Sequence, residues 1–132
     1  MDNLSIHTLR GDGANISSGI TFQNSDWFWI TNSKVSGTKQ HGIQLGAPGK
    51  PVSHGVVSGG ALSNCRSTGL RLTNAREVTV ENVRCYGNKN GIVEDAESSN
   101  NLIAHNDLKG NSAISLSVSG AGSAGKGNVE GK

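Results

Sequence analysis

Aromatic residues are scarce in this chain of 132 residues, with two Trp, two Phe and one Tyr, or 4% of the sequence. A core of packed rings is excluded, so small aliphatic side chains must do the burying. Cysteine is almost missing as well. Cys65 and Cys85 match neither a four-ligand zinc site nor a disulfide scaffold, and both are expected to be structural. No run approaches the ~20 apolar residues of a membrane-crossing helix, and Met1-Asp2-Asn3-Leu4-Ser5 lacks the basic-then-apolar order of a leader. The chain starts directly in strand-like sequence, as a segment of a longer protein would. Charge is thin too: 12 Lys and Arg stand against 10 Asp and Glu, a formal net +2, with no basic run. Neither a nucleic-acid nor a membrane partner is expected.

Glycine is abundant, at 19 residues, and it takes part in a phrase that keeps returning. Gly19-Ile20-Thr21-Phe22, Gly42-Ile43-Gln44-Leu45, Gly69-Leu70-Arg71-Leu72, Gly91-Ile92-Val93-Glu94 and Ala113-Ile114-Ser115-Leu116 begin 22 to 27 residues apart. A second pattern runs in phase: an apolar residue, four spacers, a small or apolar residue, one spacer, then Gly or Asn. It occurs as Leu4/Leu9/Gly11, Ile30/Val35/Gly37, Val57/Leu62/Asn64, Val80/Cys85/Gly87 and Ile103/Leu108/Gly110. Two patterns with one period specify a repeat architecture, whose units bury their apolar faces only against their neighbours.

Local grammar excludes helix. β-Branched residues alternate with polar ones, as in Val78-Thr79-Val80-Glu81, and Gly or Asn interrupts every few positions. A leucine-rich solenoid would need several leucines and a fixed Asn in every repeat. The expected fold is all-β: a single-stranded right-handed parallel β-helix, or solenoid, of about five coils over residues 1–116, with three short strands per coil. Residues 117–132 read as a Gly/Ser-rich tail or irregular final coil, with Val129 as its core residue after Val118. Coils stacked at ~4.8 Å give a stack of roughly 24 Å, and the right hand follows the crossover preference of parallel strands. Ile20, Ile43, Leu70, Ile92 and Ile114 form one predicted inner column, and Leu9, Val35, Leu62, Cys85 and Leu108 another. Asn32, Gly59 and Asn82 turn corners.

Val78-Thr79-Val80-Glu81-Asn82-Val83 with Gly91-Ile92-Val93, and Asn101-Leu102-Ile103-Ala104-His105-Asn106 with Ala113-Ile114-Ser115-Leu116, carry a family likeness. They resemble coils of the pectin-lyase-like right-handed parallel β-helix superfamily, most of all those of bacteriophage tailspikes and tail fibres. The likeness covers residues 3–116. It implies a homotrimer on a virion or outside the cell, with a cell-surface polysaccharide as partner. The same coil serves lyases, hydrolases, epimerases and non-catalytic shafts, so it specifies fold better than activity.

Family enzymes act on polysaccharides, and glycoside hydrolysis takes two carboxylates about 5–9.5 Å apart. Glu94-Asp95-Ala96-Glu97 is the densest acidic group, and Glu94, Asp95 and Glu97 are catalytic candidates together with His41. Alignment with Phe22, Leu45, Leu72 and Leu116 puts Glu94 in an inward slot, where an ionised carboxylate is costly. The expectation is that the strand ends one residue early and Glu94 turns to solvent. His41-Gly42-Ile43, followed a coil later by Arg71-Leu72-Thr73, looks like the Gly-His-Gly-Ile and Arg-Ile-Lys motifs of polygalacturonases. That likeness implies an active-site role for His41 and a substrate-carboxylate role for Arg71. It departs at Gln40, at Thr73 and at Gln23-Asn24-Ser25-Asp26, where an Asp pair is missing. Asp12, Asp26, Glu77 and Asp107 fall singly in different coils and predict no common site. His7, His41, His54 and His105 lack metal-ligand spacing, and neither a metal nor a cofactor is expected.

Asp26-Trp27-Phe28-Trp29-Ile30 carries a different signal. With Phe28 and Ile30 inward, Trp27 and Trp29 point out, to stack on sugar rings, to bury against a subunit, or to lie under the 44–51 loop. That loop is the longest insertion, bordered in this reading by Gln44, Lys50, His54 and Arg71, and insertions of a solenoid gather on one face. Trp27, Trp29, Gln44, Lys50 and Arg71 are the substrate-binding candidates. The leading expectation is a structural and surface-polysaccharide-binding segment of a tailspike-like protein. The alternative is a polysaccharide hydrolase or lyase using Glu94, Asp95 and Glu97 or an intersubunit groove.

Overall fold

The computed structural model describes residue 1, residues 5–7 and residues 17–131. Leu4, Leu9, Gly11 and Asp12 lie outside the described residues. The chain is an all-β parallel solenoid of about five turns, and no helix occurs among the described residues.

One sheet has five strands, β2 (Ser18–Phe22), β4 (His41–Leu45), β6 (Thr68–Leu72), β10 (Asn90–Glu94) and β12 (Ile114–Ser117), stacked in that order. These are the recurring Gly-Ile phrases. The other sheet comprises β1 (Ser5–His7), β3 (Ser25–Ser36), β5 (Val52–Ser63), β7 (Ala75–Arg76), β8 (Thr79–Glu81), β9 (Arg84–Tyr86), β11 (Leu102–Ala104) and β13 (Ala124–Lys126). β5 alone pairs with β7, β8 and β9 in succession, so one long strand equals three short ones a coil later. Left-handed residues at fixed offsets make the cuts. Asn32, Gly59, Asn82, His105 and Gly127 all have φ between 49° and 73° and stand at one corner of successive coils. Trp27, His54, Glu77 and Asn100, with φ of 57°, 54°, 53° and 55°, form another corner. This second corner adds a two-residue rung to each coil, as at Val52-Ser53 and Ala75-Arg76, which the sequence reading ran into the loop.

Inner positions fill the axis by the period of two. Ile30, Val57, Val80 and Ile103 stack in register, as do Val35, Leu62 and Cys85, and every one of them is at most 1% exposed. Phe28 finds room because Gly55 sits across from it: a Cβ there would lie 2.1 Å from the ring. In the five-stranded sheet Ile20, Ile43, Leu70 and Ile92 form the predicted column. Its fifth member is a correction. Leu116, not Ile114, faces Ile92, while Ile114 pairs with Asn90 and is 45% exposed. The turn after Asn111 is one residue longer than its counterpart after Asn88, and those two asparagines already stand 23 apart, so counting 22 residues on from Ile92 stops two residues short.

Corner amides not used by the strands are met by asparagine. Asn101 Oδ1 accepts from Val78 N, Asn106 Oδ1 from Val83 N and Asn88 Oδ1 from Cys65 N, each at 2.8 Å. Their Nδ2 groups donate to Ala75 O, Val80 O and Leu62 O. Buried backbone polar groups need such partners, and here the side chain of one coil supplies them to the coil before it. Residues 121–129 continue the stack: β13 pairs with β11, and Val129 bridges to Asp107. Val129 itself is 49% exposed rather than core, while Leu116 and Val118 are partly buried and pack against the core.

Candidate functional site

Two outer regions collect the polar and aromatic side chains. The first is the corner column Trp27, His54, Glu77 and Asn100. Trp29 points outward by alternation, whereas Trp27 does so because its left-handed φ turns the chain there. The two rings are 64% and 56% exposed, and the 44–51 loop does not cover them. Instead the Trp27 indole lies flat on the His54 imidazole, with ring centres 4.6 Å apart and planes 10° from parallel. His54 is held at both ring nitrogens: Nδ1 is 2.8 Å from Asp26 Oδ1 and Nε2 is 2.9 Å from Glu77 Oε2. Ser53 Oγ donates to the same Asp26 oxygen at 2.8 Å.

A neutral imidazole has one N–H, so one of these two carboxylate contacts would set lone pair against lone pair. The geometry therefore requires the imidazolium, whose charge also suits the indole face. The hydrogen bond to Asp26 is the main cause that raises the His54 pKa above its ordinary 6.5, and the Glu77 charge adds to it. The reciprocal bond from His54, followed by that from Ser53, lowers Asp26 below its ordinary 3.8. A raised His54 stabilises the fold fully below pH 6.5 and loses that contribution as pH climbs through its folded value. A lowered Asp26 contributes above pH 3.8 and loses it as pH falls through its own folded value. The clamp is thus complete in mildly acidic solution. Trp fluorescence, quenched by the stacked imidazolium, should rise in one step above pH 6.5 in the wild type. In Glu77→Gln the midpoint should move down; an unmoved midpoint would show that Glu77 does not hold His54.

The sequence reading saw no common site for Asp26 and Glu77 and placed His54 beside the loop. That is corrected here. A usable signal was present, since Trp27, His54, Glu77 and Asn100 follow one another at the coil spacing.

The second region is a groove of about 710 Å³ over the outer face of the five-stranded sheet, lined in part by His41, Gln44, Pro48, Arg71, Thr73 and Asp95. Gln44 Nε2 donates to Gly46 O at 2.7 Å and to Thr73 Oγ1 at 3.2 Å, which fixes the amide across two coils. Burial, and secondarily the Arg71 charge, lower the pKa of His41, so its ring is neutral at pH 7. Its Nδ1 is buried with no hydrogen-bond partner. His41, Gln44 and Arg71 therefore do share a site. Lys50, whose backbone pairs with Ala47, is exposed and outside the groove lining.

The three acidic candidates do not converge. Glu94 is 1% exposed and points into the solenoid, contrary to the expectation that it turns to solvent. It accepts from Asn101 Nδ2 at 2.6 Å, Gly120 N at 2.7 Å and Ser123 Oγ at 2.7 Å. β10 keeps its register through Glu94, opposite Leu72, and these donors make the inward carboxylate tolerable. Asp95 reaches the groove but accepts from Ser98 Oγ and Asn74 N, while Glu97 is exposed in the turn. Among the described residues Asp95 is the one carboxylate that lines the groove, and they place no acid pair across it. Cys65 and Cys85 are buried, and burial pushes the Cys85 thiol far above its ordinary value, which does not suit it for attack.

Comparison with curated proteins and with solved structures returns no match. A family description of the right-handed β-helix region matches residues 2–131, nearly the whole chain. Together with the parallel register, the stacked aliphatic columns and the corner asparagines, that match makes this chain a member of the right-handed β-helix family.

Proposed function

We propose that this chain is a structural, surface-polysaccharide-binding segment of a phage tailspike- or tail-fibre-like protein, homotrimeric and acting outside the cell or on the virion. The observation that carries the reading is the outward tryptophan pair, 64% and 56% exposed, with one ring immobilised on a doubly held imidazole. Sugar rings stack on such faces, and a ring already ordered loses little entropy on binding. The phage and trimer parts rest on the likeness of the coils to those of tailspikes. That the described residues bring a single carboxylate, Asp95, to the groove supports binding over hydrolysis for this segment.

The test is a panel of bacterial surface polysaccharides run by affinity electrophoresis against the wild type and Trp27→Ala/Trp29→Ala. Loss of two stacking faces should weaken binding by about 2–3 kcal/mol, roughly a hundredfold. Light scattering on the same samples separates the other role of the rings. A mass that stays constant while binding falls supports glycan contact. A variant that drops from trimer to monomer would instead place the tryptophans in a subunit interface and overturn the glycan reading.

A further inference from the structure

The linear sequence has no basic run, yet the coil period builds one. Arg66 N donates to Thr38 O at 3.1 Å and Ser67 N to Gln40 O at 2.9 Å, which sets Arg66 beside Lys39. One coil on, Asn88 Oδ1 accepts from Cys65 N and Asn90 N donates to Ser67 O, which sets Lys89 beside Arg66. The three residues are exposed and occupy one corner of successive coils, so they rise along the axis at ~4.8 Å per rung. Among the described residues no carboxylate lies within ion-pair distance of any of them. Three cations this close repel one another, and no carboxylate among the described residues pairs with them.

Arg66 and Lys89 also line a groove of about 780 Å³, formed with Gly87, Asn88, Asn111 and Ser112. Among the described residues its lining contains no carboxylate and no aromatic ring. Asn88 and Asn111 are fixed by their ladder bonds to the backbone, so the floor is rigid. A rigid trough edged by Arg66 and Lys89 and continued by Lys39 suits a linear polyanion laid along the solenoid axis. The missing aromatic lining argues against single-stranded nucleic acid, whose affinity draws on base stacking.

We infer that the Lys39–Arg66–Lys89 column is a binding strip for an acidic polysaccharide, meeting carboxylate or sulfate groups carried on successive sugars. The inference rests on the glycan-binding reading above and names the chemical class of glycan. The probes are polygalacturonate for carboxylate, heparin for sulfate, a neutral glucan and a single-stranded oligothymidylate. Wild type, Lys39→Ser/Arg66→Ser/Lys89→Ser and Trp27→Ala/Trp29→Ala are compared at low and high salt. All three strip residues are exposed, and matching circular dichroism and melting would confirm that the triple variant folds.

The wild type should bind polygalacturonate or heparin, whichever carries the preferred acid. The triple variant should bind it about tenfold more weakly, as three exposed ion contacts imply, and added salt should remove most of the difference. Equal acidic-glycan binding by wild type and triple variant would overturn the strip. So would oligothymidylate binding as tightly as either acidic glycan. A wild type that binds only the neutral glucan through its tryptophans would overturn the strip and leave the glycan reading standing, whereas one that binds no glycan at all would sink both.

Discussion

Gly60→Val should leave the solenoid without a stable third coil. Gly60 pairs with Ser33 across the β3–β5 ladder, and its φ is 93°, a conformation that a β-branched residue adopts only at high cost. A Cβ at this position would stand 2.1 Å from Ser33 O and 2.8 Å from Ser33 N. Both atoms are backbone inside a paired strand, so relief means parting the two coils. The left-handed penalty of about 1–2 kcal/mol and overpacking of about 1–3 kcal/mol sum to a substantial share of the ~5–15 kcal/mol that keeps a domain folded. Gly49→Val is the matched control, because Gly49 also has positive φ, 72°, but nothing lies within 4 Å of its would-be Cβ. Urea unfolding should show Gly60→Val destabilised by about 2–5 kcal/mol and Gly49→Val by only about 1–2 kcal/mol. Equal shifts for the two would mean that the close approach at Ser33 contributes nothing.

The contrast between these glycines shows what a sequence of this kind discloses. The period, the inward columns of Ile43, Leu70, Val35 and Leu62, and the corners at Asn32, Gly59 and Asn82 were legible because stacked coils repeat the same local chemistry at the same offset. Ile114 is misplaced by a count of 22 because this coil runs 23 residues between Asn88 and Asn111 and its turn then adds one more, which a count along the chain does not register until the hydrogen bonds are seen. The site was legible residue by residue rather than as a constellation. His41, Gln44 and Arg71 share a groove that their coil positions foretold. The clamp of Asp26 and Glu77 on His54 stayed hidden, since residues some 25 positions apart look isolated until the sequence is folded at its own period. The same holds for Lys39, Arg66 and Lys89. Glu94 was hidden for a different reason: its slot was right, but the donors that make a buried carboxylate tolerable come from Asn101, Gly120 and Ser123, none of which belongs to the repeating phrase.

That arrangement makes Glu94→Ala the second large effect. Three donors converge on the carboxylate from the next coil and its lead-in, Asn101 Nδ2 at 2.6 Å and Gly120 N and Ser123 Oγ at 2.7 Å. Alanine leaves all three facing a cavity, at a cost of about 3–5 kcal/mol for unpaired donors and lost packing together. Glu94→Leu separates the two parts. It matches Leu72 and Leu45 in the same column and refills the volume, but it gives the donors no acceptor. Replacing buried charge by an apolar side chain is often neutral or stabilising when the partner charge leaves with it. Here the partners are neutral groups that stay, two of them on or beside the backbone of the last coil, so unpaired donors outweigh the gain and Glu94→Leu should still lose about 2–3 kcal/mol. Glu94→Gln, which keeps one acceptor oxygen, should lose least. Because the donors cluster at 101–123, amide exchange should quicken first in β12 and β13 and last in the β3–β5 ladder. A Glu94→Leu protein as stable as the wild type, with unchanged exchange in β13, would show that the buried carboxylate fills space and does not hold the last coil down.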